Sequence, residues 1–319
     1  MPTSWDYVKK LAIRSEELGF DLSLIAELNL NDIKGVQAPS LDAWSTAAAL
    51  AAVTHKQELM VAVRPTFHNP ALLAKQAANI DHISGGRLSL NVVSSWWRDE
   101  ATKYGVGFEM HDDRYARTAE WLAVLNGVWQ QDGFNFEGKY YKVANNTLQP
   151  KPVSKPRPAI YAGGESETAK DLISSTCDGY VMHGDEPETI GRRIRDLKER
   201  REKKGLPPMT YGVAAYSVIR DNEADVKKEL ARITDVRPGS AGYNNYQQWL
   251  AGTQLEQRVS LEDYSVSNRG LRAGLVGTPN QVADRIGTFE KAGVNLLLLQ
   301  FSPQLEEMER FSDLVIAKK

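Results

Sequence analysis

Three short stretches of the chain combine side chains that could bind a planar or anionic ligand. Residues 94–100, SSWWRDE, place two indole rings beside hydroxyls and a carboxylate, a set that could form a stacking wall for an aromatic ligand. Residues 163–166, GGES, offer glycines and the start of a predicted helix, where free backbone amides favour a phosphate. Residues 111–115, HDDRY, add a cation and a phenol that could contact the same phosphate.

Each stretch also has an ordinary structural explanation. The two tryptophans could line a hydrophobic rim, and Ser166 could simply cap a helix. Asp112 or Asp113 could be an N-cap, with Arg114 as its surface partner. Glu165 would repel a phosphate unless its side chain points away. These alternatives remain open at the level of residue chemistry.

The histidines, the cysteine and Asn91 indicate which kinds of site are compatible with the sequence, but they do not identify a reaction. His68 and His183 follow predicted strands and are the better active-site candidates among the five histidines, none of which has metal-ligand spacing to another. The single cysteine, Cys177, excludes an intramolecular disulfide and a cysteine-based metal cluster. Asn91 lies within a predicted strand, where a buried amide must be satisfied by protein or by ligand. We therefore expect no metal site.

Alternating helical and strand patterns predict an α/β fold. Strands separated by helices of ten or more residues pair in parallel, and in a barrel the active site lies at their carboxyl ends. A doubly wound sheet would usually carry a Gly-x-Gly-x-x-Gly turn, which the sequence lacks, so a (β/α)8 TIM barrel is favoured. The predicted strands cover residues 21–26, 59–63, 88–93, 159–162, 179–182, 211–219 and 295–299.

The whole chain, residues 1–319, is predicted to form a single barrel domain with one insertion. The insertion covers residues 237–276, before the last strand, where no periodicity is visible and a mobile lid is expected. Only seven strands are predicted where a closed barrel needs eight, so the first strand is expected to precede Met1. The proline-rich residues 148–158 are expected to form an extended surface strap.

Charge and hydropathy exclude several classes of partner. The chain has 39 Lys and Arg against 41 Asp and Glu, a net charge of −2 that offers no field for nucleic acid. It contains no apolar run near the roughly 20 residues that span a bilayer, and its N-terminus lacks the pattern of a signal peptide. We expect a cytoplasmic protein that binds neither nucleic acid nor membrane.

Four segments, taken in order, resemble the bacterial luciferase-like flavin monooxygenases. The resemblance is greatest to the branch that holds alkanesulfonate monooxygenase, dimethyl sulfone monooxygenase and pyrimidine oxygenase. It extends from Trp5 to about Ile316, and it is carried by residues 61–100, 111–122, 155–172 and 274–299. It implies a luciferase-like TIM barrel that uses reduced FMN, FMNH2, and O2, and oxygenates its substrate through a flavin C4a-peroxide. An NAD(P)H-dependent flavin reductase would supply the FMNH2, and the chain would form a homodimer or homotetramer.

The resemblance assigns most of the flavin contacts, and the residues at strand ends supply the candidates for catalysis. The residues expected to contact the flavin, including the glycine of the predicted phosphate loop, are Ile25, Ala26, Asn91, Glu100, Arg114, Tyr115, Gly164 and Ser166. The residues expected to take part in catalysis, from strand ends, the tryptophan pair and the insertion, are His68, Trp96, Tyr216 and Arg272.

Departures from the family pattern bear on the substrate. Where alkanesulfonate monooxygenase carries an Arg and a His on one strand, this chain has Ala214 and Tyr216. A sulfonate needs a cation, which Ala214 lacks, so a neutral sulfone is the first hypothesis. Oxygenative cleavage of a nitrogen heterocycle, such as a pyrimidine or a flavin ring, is the second. A non-catalytic flavin-binding or deazaflavin-dependent relative is the third.

Overall fold

The computed structural model describes residues 3–32, 34–94, 97–108, 111–239 and 269–318, together with isolated positions between 243 and 261. Its strands are β1 (Leu22–Ile25), β2 (Glu58–Val63), β3 (Leu88–Val92), β4 (Phe134–Glu137), β5 (Lys142–Asn146), β6 (Ala159–Ala162), β7 (Gly179–Met182), β8 (Thr210–Tyr216), β9 (Val218–Ile219), β10 (Val276–Gly277) and β11 (Leu296–Gln300). The helices that matter below are α1 (Trp5–Glu17), α2 (Ala43–Val53), α3 (Pro70–Ser84), α4 (Arg98–Lys103), α5 (His111–Gln130), α6 (Glu167–Thr176), α7 (Pro187–Lys203), α8 (Glu223–Thr234), α9 (Pro279–Ala292) and α10 (Gln304–Leu314).

Seven strands form one parallel sheet in the order β1-β2-β3-β6-β7-β8-β11, and helices connect successive strands. The predicted α/β barrel is confirmed as a nearly closed, barrel-like parallel sheet. The short antiparallel hairpin of β4 and β5 lies in the long connection between β3 and β6. The eighth strand expected before Met1 remains a prediction.

Strand residues alternate between the helical shell and the barrel interior. On β2, Leu59, Val61 and Val63 belong to the hydrophobic core packed by the helices, whereas Met60 and Ala62 lie on the opposite face of the strand. The same alternation holds on β3 and places Asn91 on the interior face. Polar groups on the interior face near the carboxyl ends of strands are therefore the ones that can meet a ligand.

Two features differ from the predicted elements. Residues 211–219 were predicted as one strand, but the sheet strand ends at Tyr216 because the backbone changes hydrogen-bond partners between Ser217 and Val218. The Ser217 N–H donates to the carbonyl of Gln300 at 3.1 Å, and the Val218 N–H donates to that of Leu275 at 3.1 Å. The short β9 therefore leaves the sheet and pairs with β10. Helix α4 begins within the stretch 94–100, for which the sequence analysis predicts no helix.

The predicted strap over residues 148–158 runs without a helix or strand. It is anchored at Ser154, whose N–H and hydroxyl both donate to the buried Asp81 carboxylate at 2.8 Å. Most of the predicted insertion lies outside the described residues; its last part forms a one-turn 3-10 helix, Gly270–Ala273, followed by β10. In the part of the chain described, no helix is long and apolar enough to cross a bilayer.

The environment of the Glu58 carboxyl group, at the amino-terminal end of the barrel, leads to a prediction about stability. Glu58 opens β2 and is half-buried, and burial raises the pKa of this carboxyl above its ordinary value. The folded state thus favours the protonated form of Glu58. Its contribution to the free energy of unfolding is greatest below the pKa that Glu58 has in the unfolded chain, and it falls as the pH rises through the higher pKa of the folded state.

We predict that Glu58→Gln, which mimics the protonated acid, raises the free energy of unfolding at about pH 8 but not at about pH 4. Urea unfolding at both pH values measures this difference. An exposed carboxylate, changed as Glu188→Gln, serves as the control and should leave the pH dependence unaltered. A Glu58→Gln protein with the same pH profile as the parent would contradict the prediction.

Candidate active site

A buried guanidinium organises the carboxyl ends of the first strands. Arg64 directly follows β2, is 1% exposed, and lies between the carboxylates of Glu27 and Glu100, which are 7% and 0% exposed. The Arg64 N–H donates to Glu27 Oε2 at 2.8 Å, and its guanidinium contacts both carboxylates. Charges this deeply buried persist only when paired, so the three side chains fix one another.

Glu100 ties the loop after β1 to the same cluster. Its Oε1 accepts hydrogen bonds from the N–H groups of Asn29 and Leu30 at 2.7 and 3.1 Å, in addition to the guanidinium of Arg64. The carboxylate predicted to contact a flavin is thus engaged within the protein. Its position supports an organising role, and a direct flavin contact by Glu100 stays a prediction.

His68 lies where this cluster opens toward solvent. Its Nε2 is 2.5 Å from Glu27 Oε1, and its side chain is 21% exposed. The Trp44 ring lies 6.0 Å from the imidazole, and the Trp121 indole donates to the His68 carbonyl at 2.9 Å. His68, which the sequence singled out because it follows a strand, is therefore fixed by contacts to both its ring and its backbone carbonyl.

Asn91 presents an unsatisfied acceptor to the barrel interior. It pairs in register with Ala62 of β2 and Tyr161 of β6, so it lies between two neighbouring strands. Its Oδ1 is buried, and no donor for it is found among the described residues. Because a buried amide oxygen without a donor is costly, this atom indicates a ligand that carries an N–H or O–H group.

The two glycines after β6 form a cradle that only a bare backbone can make. A Cβ on Gly163 would lie 2.6 Å from the Val181 carbonyl oxygen. A Cβ on Gly164 would lie 2.5 Å from Ala169 Cβ and 2.9 Å from the Tyr115 hydroxyl. We call the backbone of residues 163–166 with the Tyr115 hydroxyl the glycine cradle.

Ser166 caps helix α6 at the edge of the cradle. Its hydroxyl oxygen accepts from the Ala169 N–H at 3.3 Å, so the capping alternative is confirmed. Capping does not compete with anion binding, since the first amides of a ten-residue helix still point outward. The structure thus brings together Tyr115, Gly164 and Ser166, which the sequence placed fifty residues apart.

Glu165 does not oppose a phosphate at the cradle. Arg269 Nη1 lies 3.0 Å from its Oε1, and Arg193 Nη1 lies 3.5 Å from the same oxygen. Arg193 also pairs with Asp185 at 3.0 Å. The objection raised by the sequence is removed, because the carboxylate is neutralised by arginines on other elements.

Arg114 is buried beside Tyr115 at the start of helix α5. Its guanidinium carbon lies 4.8 Å above the Phe108 ring, a cation–π contact. The carbonyl of Arg114 accepts from Thr118 Oγ1 at 2.8 Å, and Thr118 is also hydrogen-bonded to Ser94 at the end of β3 at 3.0 Å. This arrangement joins helix α5 to the strand that carries Asn91.

The other predicted site residues have varied positions. Ile25 packs against the helical core, Ala26 is exposed, and Arg272 is exposed on the 3-10 turn before β10. Tyr216 ends β8, paired in register with Gln300, and burial raises the pKa of its phenol. Trp96 and the side chain of His111 lie outside the described residues. The roles assigned to these residues stay predictions.

Sequence reasoning missed Glu27 and Arg64. Each is a charged residue directly after an apolar strand, Glu27 two positions after β1 and Arg64 one position after β2. Adjacent parallel strands bring such residues together at one edge of the sheet. That signal could have identified the pair, since β1 and β2 are neighbours.

The buried cluster generates a stability prediction. Arg64→Met would leave two buried carboxylates without a counter-charge, which costs about 3–5 kcal/mol of unfolding free energy. Arg192→Ala is the matched control, since its ion pair with Glu188 is exposed and should contribute less than about 0.5 kcal/mol. Urea unfolding of both variants provides the measurement. Equal stability of Arg64→Met and the parent protein would refute the role given to the cluster.

Comparisons with known proteins identify the family. The family model described as luciferase-like monooxygenase matches residues 1–296. The FMNH2-dependent dimethylsulfone monooxygenase of Pseudomonas putida is 34% identical over 97% of this chain and 87% of its own length. Among solved structures, a long-chain alkane monooxygenase has a TM-score of 0.84 at 20% identity, covering 99% of this chain and 84% of that one.

A riboflavin lyase, solved with modified FMN and riboflavin, has a TM-score of 0.83 at 20% identity, covering 99% of this chain and 84% of that chain. At this identity, the structural likeness supports the fold alone. The match of the family model and the similar sequence of the Pseudomonas enzyme confirm the resemblance read from the sequence motifs. The chain belongs to the luciferase-like monooxygenase family.

Proposed function

We propose that this chain is a two-component FMNH2-dependent monooxygenase that inserts one oxygen atom of O2 into a small sulfone. The structural observation that carries the flavin part of the proposal is the buried Asn91 Oδ1, which lacks a donor among the described residues and faces the barrel interior. The similarity to a dimethylsulfone monooxygenase over nearly the whole chain supports the same conclusion.

The residues present fit FMN. The glycine cradle offers bare backbone, a phenol and the start of helix α6, which are suited to a phosphate. Asn91 Oδ1 offers the acceptor that an N–H of an isoalloxazine ring would satisfy. When bound, reduced FMN supplies the electrons that activate O2. We propose that Tyr115, Gly164 and Ser166 hold the phosphate and that Asn91 holds the ring.

The protein's own contribution is to orient, enclose and protonate. Arg64 and its carboxylates keep the loop after β1 against β2, and His68 is the titratable side chain that this cluster presents toward the opening. Ala62 of β2, Ala214 of β8 and Leu298 of β11 contribute apolar side chains to the interior face of the sheet. Such a surface excludes water from the reaction.

The same apolar face favours an uncharged substrate. Ala214 pairs in register with Leu298, so this part of the barrel wall supplies no cation to a sulfonate. Arg269, the buried arginine near the end of the insertion, faces Glu165. A sulfone carries no net charge and needs no counter-ion, which accords with this wall. The P. putida enzyme is named for a sulfone of this kind.

Partners and location follow as further parts of the proposal. A flavin reductase that uses NAD(P)H would supply FMNH2, and O2 would be the second substrate. We propose a homodimer or homotetramer in the cytoplasm. The substrate of the alternative reaction, a pyrimidine-like or flavin-like heterocycle, is included in the substrate test below.

If the glycine cradle holds the phosphate, substitutions in it should lower the affinity for FMN but leave the affinity for riboflavin unchanged. Gly164→Ala places a methyl group against Ala169 and the Tyr115 hydroxyl, so FMN affinity should fall about 10-fold or more, equivalent to about 1.4 kcal/mol. Ser166→Ala should lower it in the same direction. Riboflavin, which lacks the phosphate, should bind all variants alike.

Gly287→Ala is the matched control, because a Cβ there meets nothing within 4 Å. Fluorescence titration with both flavins provides the dissociation constants. If Gly164→Ala and Ser166→Ala bind FMN as tightly as the Gly287→Ala protein does, the cradle does not hold the phosphate.

The substrate assignment predicts a ranking of activities. With FMNH2 regenerated by a flavin reductase, turnover of dimethyl sulfone should exceed that of methanesulfonate and of uracil, because the barrel wall at Ala214 is apolar. Product formation is quantified by mass spectrometry. Sulfonate turnover comparable to that of the sulfone would overturn the argument from Ala214, and turnover of the heterocycle alone would favour the alternative reaction.

A further inference from the structure

We propose that Glu27 is a positioning residue that holds His68 with its hydrogen on Nε2, so that Nδ1 is the ring atom at which His68 accepts a proton and returns it during the reaction. The proposal rests on the proposed function for the identity of the substrate. The state of the ring can be measured without any turnover.

The first step concerns the two oxygens of Glu27. Oε2 accepts from the Arg64 N–H at 2.8 Å and lies 3.4 Å from Arg64 Nε, so it faces donors only. Oε1 faces His68 Nε2 at 2.5 Å. An ionised carboxylate can only accept hydrogen bonds, so Nε2 must carry the hydrogen. Any proton that the ring gains or loses is then at Nδ1.

The second step concerns what fixes the ring. Glu27 is 7% exposed and its neighbour Arg64 is 1% exposed, so neither can move into solvent. The Trp121 indole holds the His68 carbonyl at 2.9 Å, and the Trp44 ring lies 6.0 Å from the imidazole. No partner for Nδ1 is found in the part of the chain that the structure describes. The ring is therefore anchored at one nitrogen and available at the other.

The third step concerns the charges around the ring. Glu27 follows β1, Arg64 follows β2, and Glu100 on helix α4 completes the cluster, with two carboxylates against one guanidinium. The carboxylate nearest His68 faces Nε2, the ring nitrogen opposite the one that is available for proton transfer. This is the arrangement by which a carboxylate orients and supports a catalytic histidine.

Glu27→Gln tests the proposal because the substitution has only one satisfactory orientation. The Arg64 N–H and guanidinium require an acceptor, so the amide oxygen of Gln must face Arg64. The amide NH2 then faces His68 Nε2, which must become an acceptor. The hydrogen of the neutral ring should consequently move from Nε2 to Nδ1.

Histidine ¹⁵N NMR of the full-length protein reads out this change. In the parent protein, His68 should show a protonated Nε2 at mildly alkaline pH, and in Glu27→Gln a protonated Nδ1. His68→Asn assigns the resonance by removing it. His82 is the internal control, because its Nε2 lies 2.8 Å from the Lys151 carbonyl and should stay protonated in both proteins.

Steady-state kinetics with dimethyl sulfone, FMNH2 and O2 tests the consequence. Glu27→Gln should lower kcat about 10-fold or more with little change in KM, and His68→Asn about 100-fold. The double variant should be no slower than His68→Asn alone, since Glu27 acts through His68. A merely structural role for Glu27 would instead give additive losses and would not exchange the ring hydrogen.

The outcomes separate this inference from the proposed function. An Nδ1-protonated ring in the parent, an unchanged ring in Glu27→Gln, or additive losses in the double variant would each overturn the positioning role. Absence of sulfone turnover by the parent would overturn the proposed function, and the NMR result would then decide the ring assignment independently. Glu27→Gln with the exchanged ring but unchanged kcat would also overturn the inference.

Discussion

The pairing of one buried guanidinium with two buried carboxylates is the constraint on which this site depends. Glu27, Arg64 and Glu100 come from three different connections, after β1, after β2 and on helix α4. None of the three charges can lose its partner without a large desolvation cost, so the connections must assemble together. His68 takes its position from this cluster through Glu27, and the loop at residues 29–30 takes its position through Glu100.

The glycine cradle is built by close backbone approach instead of charge. Gly163 and Gly164 allow β6, β7 and helix α6 to meet at distances that any side chain would prevent. Tyr115 reaches this point from helix α5, and Arg269 neutralises Glu165 from the far end of the insertion. The carboxyl ends of the strands thus carry a buried charged cluster and a backbone cradle, to which the proposed function gives separate roles. Ala62, Ala214 and Leu298 add apolar side chains to the interior face of the sheet.

Much of the fold follows from the sequence because its signals are local. Buried apolar runs bounded by glycine, proline or polar residues predicted the strands that β2, β3, β6 and β7 confirm to within one residue. The glycine cradle was also visible, since two glycines between a strand and a helix need no distant partner to be recognised. The strand predicted through residues 211–219 was wrong beyond Tyr216, because the backbone switches from Gln300, bonded by Ser217, to Leu275, bonded by Val218, and this switch depends on distant residues.

The sequence alone determined the alternation of strands and helices, the glycine loop and the family resemblance, all of which depend on neighbouring residues or on ordered motifs. Only the tertiary structure decided that Arg64 pairs with Glu27 and Glu100, residues 37 and 36 positions away. It also decided that Glu165 is neutralised by Arg269, 104 positions away, and that Asn91 has a buried, unsatisfied oxygen among the described residues. The physical reason is that the interaction energy of a charged or amide group depends on its burial and its partners. Both are set by which strands are neighbours in the sheet.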